Sequence, residues 1–158
     1  MRVLIFIYLT LHGVICIAQT EYSEFSLRYS YAGLGSNMGS MQPVFTVSGQ
    51  SYDYTRQQNS YYVEQTANPE FVCNGVISKN TIDSIITLVR NIKDSVVSRT
   101  NPNITSGGIH FIHIQYDTIY ITFKLHNETE DTAEKIVALL NKHITDDKKK
   151  LWLWKDWD

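Results

Sequence analysis

Apolar and polar positions alternate over residues 24–31. Phe25, Leu27, Tyr29 and Tyr31 fall on one side, and Glu24, Ser26, Arg28 and Ser30 on the other. Successive side chains of a strand point to opposite faces, so this pattern predicts a half-buried β-strand. Residues 32–43 are rich in Gly, Ser and Asn and predict a loop. Residues 44–47 and 51–56 predict two strands joined through Ser48-Gly49-Gln50 in a hairpin. Residues 61–64 are a further short strand candidate.

The period then changes. Ile82, Ile85, Ile86, Val89, Val96 and Val97 recur at helical spacing, predicting a helix over 80–97. Asn80 is its candidate N-cap, and Asp83 places a negative charge near the positive helix end. Asn101-Pro102 and Gly107-Gly108 make 98–108 a turn-rich connection. Residues 109–116 and 119–125 give the clearest hairpin, turning at Asp117-Thr118. One of its faces holds His110, Ile112, Ile114, Tyr116, Ile119, Ile121, Phe123 and Leu125, apolar enough for a core. The other is mixed, with Phe111, His113, Gln115, Tyr120, Thr122 and Lys124. A second helix is predicted over 131–143, with Asp131 and Glu134 at capping-box spacing. Its buried stripe is Ala133, Ile136, Val137, Leu140 and Ile144, and Lys142 and His143 complement its negative end. The expectation is an α+β domain, an antiparallel sheet of about 4–6 strands with two helices packed on one face.

The start of the chain does not fit that domain. Met1-Arg2, an apolar run over 3–15, and the small residues Cys16 and Ala18 follow the order of a cleavable secretory signal. The apolar run is shorter than the roughly 20 residues that span a bilayer as a helix, so no stable membrane anchor is expected after cleavage. The expected organisation is a signal over 1–18, one domain over 19–146, and a Lys/Trp-rich tail over 147–158. The product is expected in the periplasm or outside the cell.

Charge narrows the partners. The net charge is −2, and loss of Arg2 with the signal takes it to −3. A mildly acidic chain has no broad attraction for phosphate backbones, so nucleic acid is not an expected partner. Lys148-Lys149-Lys150 follows Asp146-Asp147 at once and reads as a solvated element end. Cys73 alone remains after cleavage, so no internal disulfide can form, and burial is the expected state of its thiol.

Motifs for chemistry are missing. The loop Gly33-Leu34-Gly35-Ser36-Asn37-Met38-Gly39 lacks the glycine spacing and the following helix of a phosphate loop. It is read as a flexible connection in which Met38 and Met41 offer adaptable apolar contacts. His110 and His113 are three apart on a strand and point to opposite faces, so they cannot share a metal; His126 could lie near His110 across the hairpin, but such a pair would need a third ligand that the sequence does not nominate, and a tolerated edge or core histidine is the favoured reading. No serine-nucleophile elbow and no zinc-protease motif occur, and no catalytic residue or cofactor is assigned. Asn103-Ile104-Thr105 and Asn127-Glu128-Thr129 match the N-glycosylation pattern.

Aromatics are the remaining signal. Tyr52, Tyr54, Tyr61 and Tyr62, together with Trp152, Trp154 and Trp157 of the tail, are candidate partner-binding residues, because such rings suit protein interfaces and sugar stacking. The alternatives are sheet packing for the tyrosines and docking back onto the domain for the tail.

The strand over 25–31 followed by Pro43-Val44-Phe45-Thr46-Val47-Ser48-Gly49-Gln50-Ser51-Tyr52-Asp53-Tyr54 resembles the opening hairpin of small exported domains of unknown function in Bacteroidota. The resemblance implies a bacterial envelope protein and transfers no functional residue. Three functions compete: an exported protein-binding module (an inhibitor, an immunity-type protein or an envelope-complex subunit), a small-ligand or glycan binder, and a hydrolase with an unrecognised site. The first is favoured, with another protein as partner.

Overall fold

A computed structural model describes residues 22–34, 41–58, 68–104 and 107–153. Four strands come first: β1 (Ser26–Leu34), β2 (Met41–Ser48), β3 (Ser51–Gln58) and β4 (Glu70–Val76). Helix α1 (Lys79–Val89), β5 (Val96–Thr100), β6 (Gly107–Tyr116), β7 (Ile119–His126) and helix α2 (Asp131–Asn141) follow, with a short 3-10 turn at Asp147–Lys149. The strands form one sheet in the order β4-β3-β2-β1-β6-β7-β5. All neighbours are antiparallel except β5, which runs parallel to β7.

The α+β class holds, but the sheet is larger than expected and mixed rather than antiparallel. Two strands account for the difference. β4 lies where the sequence predicts no element: its alternation is broken by a register shift opposite Tyr54/Thr55, and it contains Asn74-Gly75, a turn-type dipeptide. β5 lies where the helical spacing of Val96 and Val97 predicts the end of the first helix. The helix stops at Val89, and Asn91, Asp94 and Ser95 are poor helix formers. Val97 is apolar at a spacing that suits either element; it pairs with Phe123 and packs against the core.

The β6–β7 hairpin has the expected register, with His110 opposite Leu125, Ile112 opposite Phe123, Ile114 opposite Ile121 and Tyr116 opposite Ile119. Asp117 takes φ 51 at the turn, a left-handed conformation that Asp tolerates. Two helix caps differ from expectation by one or two residues. Ser78, not Asn80, caps α1, its hydroxyl accepting from the Thr81 amide. Glu130, not Asp131, caps α2, accepting from the Ala133 amide at 2.9 Å.

Both helices contribute to one core. Ile82, Ile85, Ile86 and Val89 of α1 and Ala133, Ile136, Val137 and Leu140 of α2 join Leu27, Tyr29, Phe45, Ile112 and Phe123 of the sheet. Leu151 and Leu153 enter the same core, so the described part of the tail is packed against the domain. Among the described residues no helix packs on the opposite sheet face, which presents Arg28, Asp53, Gln115, Tyr120 and Lys124 to solvent while Ser30 and Val44 on it are buried. Residues 1–18, expected to be a signal, lie outside the described residues. Among the described residues no helix is long and apolar enough to cross a membrane.

Candidate functional site

Alternation turns the candidate tyrosines of β3 inward. Tyr52 and Tyr54 sit on the helix-bearing face, where Tyr54 opposes Phe45 and Cys73, and Tyr52 opposes Val47 and Gly75. Both are buried, and the Tyr52 ring stacks on Phe45 with centroids 5.0 Å apart. Their hydroxyls reach past the apolar layer to the C-terminal segment. Tyr52 donates to the His143 carbonyl at 3.0 Å, and Tyr54 donates to the Lys149 carbonyl at 2.6 Å. Tyr29 of β1 does the same to the Trp152 carbonyl at 2.6 Å. Asn141 completes the attachment, its amide nitrogen donating to the Leu151 carbonyl and its oxygen accepting from the Leu151 amide. The contact surface expected of Tyr52 and Tyr54 is therefore filled by the chain itself. A tyrosine has an apolar body and a polar tip, so it suits a core with a hydrogen-bond partner at its rim as well as it suits an interface.

Trp152 packs at one corner of this segment. Its ring lies 4.8 Å from Tyr31 and 4.6 Å edge-on to His110, and it remains 41% exposed. The Tyr31 ring in turn lies over Gly108, where a Cβ would collide with it. His110 is fully buried, with Nδ1 3.1 Å from the Tyr29 hydroxyl. That hydroxyl spends its one proton on Trp152, so Nδ1 carries the imidazole proton and donates to Tyr29. Nε2 is left as a bare acceptor with no hydrogen-bond partner among the described residues. Burial pushes the His110 pKa down to about 3, so the ring is neutral. His126 opposes Ile109 instead of sharing the face of His110, so the two histidines do not form a pair. Burial, and then Lys142, push the His143 pKa down, which weakens the charge expected of it at the helix end.

The other candidates fall elsewhere. Met41 opens β2, half-buried, with its carbonyl accepting from Arg56. Met38, Tyr61, Tyr62, Trp154 and Trp157 lie outside the described residues. Cys73 is half-buried beside Tyr52, and burial raises its thiol pKa. Asn127 is buried, which removes the second glycosylation candidate.

The solvent-facing chemistry is gathered on the helix-free face. One cross-strand row runs Asn74, Asp53, Thr46, Arg28, His113, Thr122 and Val96, each opposite the next. The adjacent row holds Ser48, Ser26, Gln115 and Tyr120. Ser26 is small while Arg28, His113, Gln115 and Tyr120 rise around it, leaving an open depression of about 180 Å³ that Thr46 also lines. Tyr120 is 55% exposed there. His113 Nδ1 lies 3.0 Å from the Thr122 hydroxyl, and burial, followed by the Arg28 charge, pushes its pKa down. Among the described residues no carboxylate forms an ion pair with Arg28. None of His, Cys, Asp and Glu among the described residues forms a group of three able to hold a metal.

Each strand's polar side was legible separately in the sequence, as Ser26/Arg28 on one strand and His113/Gln115/Tyr120 on the hairpin. What the sequence did not show was that β1 lies beside β6, which brings the two sets together. No protein-family model matches the chain, and no curated protein matches it.

Proposed function

We propose that this protein is an exported binding module that engages another protein through the helix-free face of its sheet. The observation that carries the reading is the open depression bounded by Arg28, His113, Gln115 and Tyr120. Enclosed sites for small molecules run to roughly 300–1,000 Å³ and surround most of the ligand. This one is smaller and open to solvent, a shape that suits side chains of a protein partner inserted from above. Tyr and Arg are residue types enriched in protein interfaces. The order of residues 1–18 supports export, and the resemblance of the 43–54 hairpin to exported Bacteroidota domains supports an envelope setting.

Tagged mature protein beginning at Gln19 tests this by capture from cell envelope and culture fluid. One stoichiometric partner is expected, lost with Tyr120→Ala and kept with Phe71→Ser on the distant edge strand β4. Capture that is indifferent to Tyr120, or no partner under cross-linking, refutes the assignment.

A further inference from the structure

The helix-free face has a charge that the chain as a whole does not. The net charge is −2, yet the side chains lining the depression include the cation Arg28 and no carboxylate. We propose that Arg28 and His113 together bind a carboxylate of the partner, so that the segment received by this face is acidic. The inference rests on the binding-module reading and specifies its chemistry.

The geometry comes from the sheet. Arg28 and His113 are opposed residues of β1 and β6, which places their side chains side by side above the same face. Thr46 stands on the other side of Arg28, and Ser26 and Gln115 form the next row. A guanidinium presents a planar fork that matches a carboxylate with two parallel hydrogen bonds. His113 is oriented by Thr122 at Nδ1, and Nε2 makes no hydrogen bond among the described residues. The hydroxyls of Ser26 and Tyr120 and the Gln115 amide add neutral donors around the depression, while the Thr46 hydroxyl donates to the Asp53 carbonyl at 3.3 Å. The acid nearest along the row, Asp53, is two strands from Arg28, roughly 10 Å at ordinary strand spacing.

Protonation is linked to this binding. The charged and titratable groups facing His113 are Arg28 on β1 and, diagonally on β7, Lys124 and Tyr120. No carboxylate of the described residues is among them. Burial and Arg28 hold the imidazole neutral near pH 7. A bound carboxylate reverses that local charge and favours the imidazolium. The affinity for an acidic segment therefore rises as pH falls through the range in which the bound protein takes up the His113 proton and the free protein does not.

Mature protein from Gln19 with labelled histidine rings is titrated with a blocked peptide of alternating Glu and Ser, and with its Gln counterpart. The Glu peptide is expected to shift the His113 ring signals and raise the His113 pKa by at least about 0.5. Its affinity is expected to fall about fivefold or more in Arg28→Gln, the loss of a charge-assisted pair. Arg28 is exposed, so the thermal midpoint of that variant serves as the folding control. Absence of a His113 response at millimolar peptide, an equal response to the Gln peptide, or an unchanged affinity in Arg28→Gln overturns the proposal. Partner capture separates the two readings. Capture lost with Tyr120→Ala but kept with Arg28→Gln leaves the binding module standing and removes carboxylate recognition. A His113 response to the Glu peptide, with capture indifferent to both variants, does the reverse.

Discussion

The hydroxyl of Tyr29 donates to the main-chain carbonyl of Trp152 at 2.6 Å, tying the first strand to a residue 123 positions later. The same oxygen accepts from His110, so a single buried atom orders the sheet, the imidazole and the C-terminal segment. Tyr29→Phe keeps the ring and deletes that atom. It strands a buried N–H on His110 and a carbonyl on Trp152. The expected loss is about 1–3 kcal/mol, the range for leaving buried polar groups unpaired. Urea unfolding measures it as a lower midpoint with an unchanged slope.

Asn141 holds Leu151 by both of its amide atoms, at 2.9 and 2.8 Å, much as a neighbouring strand would. Asn141→Ala removes both bonds without touching the apolar stripe of α2. Exchange of the Leu151 amide with solvent is expected to accelerate, because its acceptor is gone, while amides of β6 keep their protection. Slow exchange at Leu151 in the variant would mean that burial of Leu151 and Leu153 alone fixes the segment.

His110 makes the fold sensitive to acid. Its pKa is about 3 in the folded protein and near the ordinary 6.5 when unfolded. Between those values the unfolded chain binds the extra proton, so stability rises with pH across the window. The contribution is fully present above about pH 6.5 and is lost as pH falls toward about 3, at up to roughly 1.4 kcal/mol per pH unit. His110→Phe retains an aromatic ring among Tyr29, Tyr31 and Trp152 and cannot titrate. Urea midpoints measured from pH 7 to pH 4 are expected to fall more steeply for the wild type than for this variant. Parallel curves would show that other groups govern acid unfolding.

The uneven legibility of these features has a physical origin. The pairing of residues 109–116 with 119–125 is legible in the sequence because period-two alternation and a short turn fix register locally, although β6 begins two residues earlier and β7 ends one residue later. β5 was not, because Val96 and Val97 fit a helical stripe and a strand equally well, and only β7 decides between them. Tyr52 and Tyr54 were placed on one face correctly, but the destination of their hydroxyls lay 91 and 95 residues away. The candidate site was half-legible for the same reason. Its side chains followed from alternation, and their meeting depended on β1 pairing with β6, a long-range contact with no local signature.

Gly75 and Tyr52 provide a test of how tightly that inner face is fitted. They are opposed residues of β4 and β3, and a Cβ on Gly75 would stand 2.9 Å from a carbon of the Tyr52 ring. The ring cannot move aside freely, since it stacks on Phe45 and its hydroxyl is held by the His143 carbonyl. Gly75→Ala therefore forces a shift of the ring or of the edge strand, at a cost of about 1–3 kcal/mol, as for other over-packed positions. The same substitution in a Tyr52→Val background meets no ring and is expected to cost much less. The double-mutant cycle isolates the clash as a coupling energy of about 1 kcal/mol or more. If the two costs simply add, the edge strand yields instead of the ring, and the glycine reflects the bulged geometry of β4 rather than the approach of Tyr52.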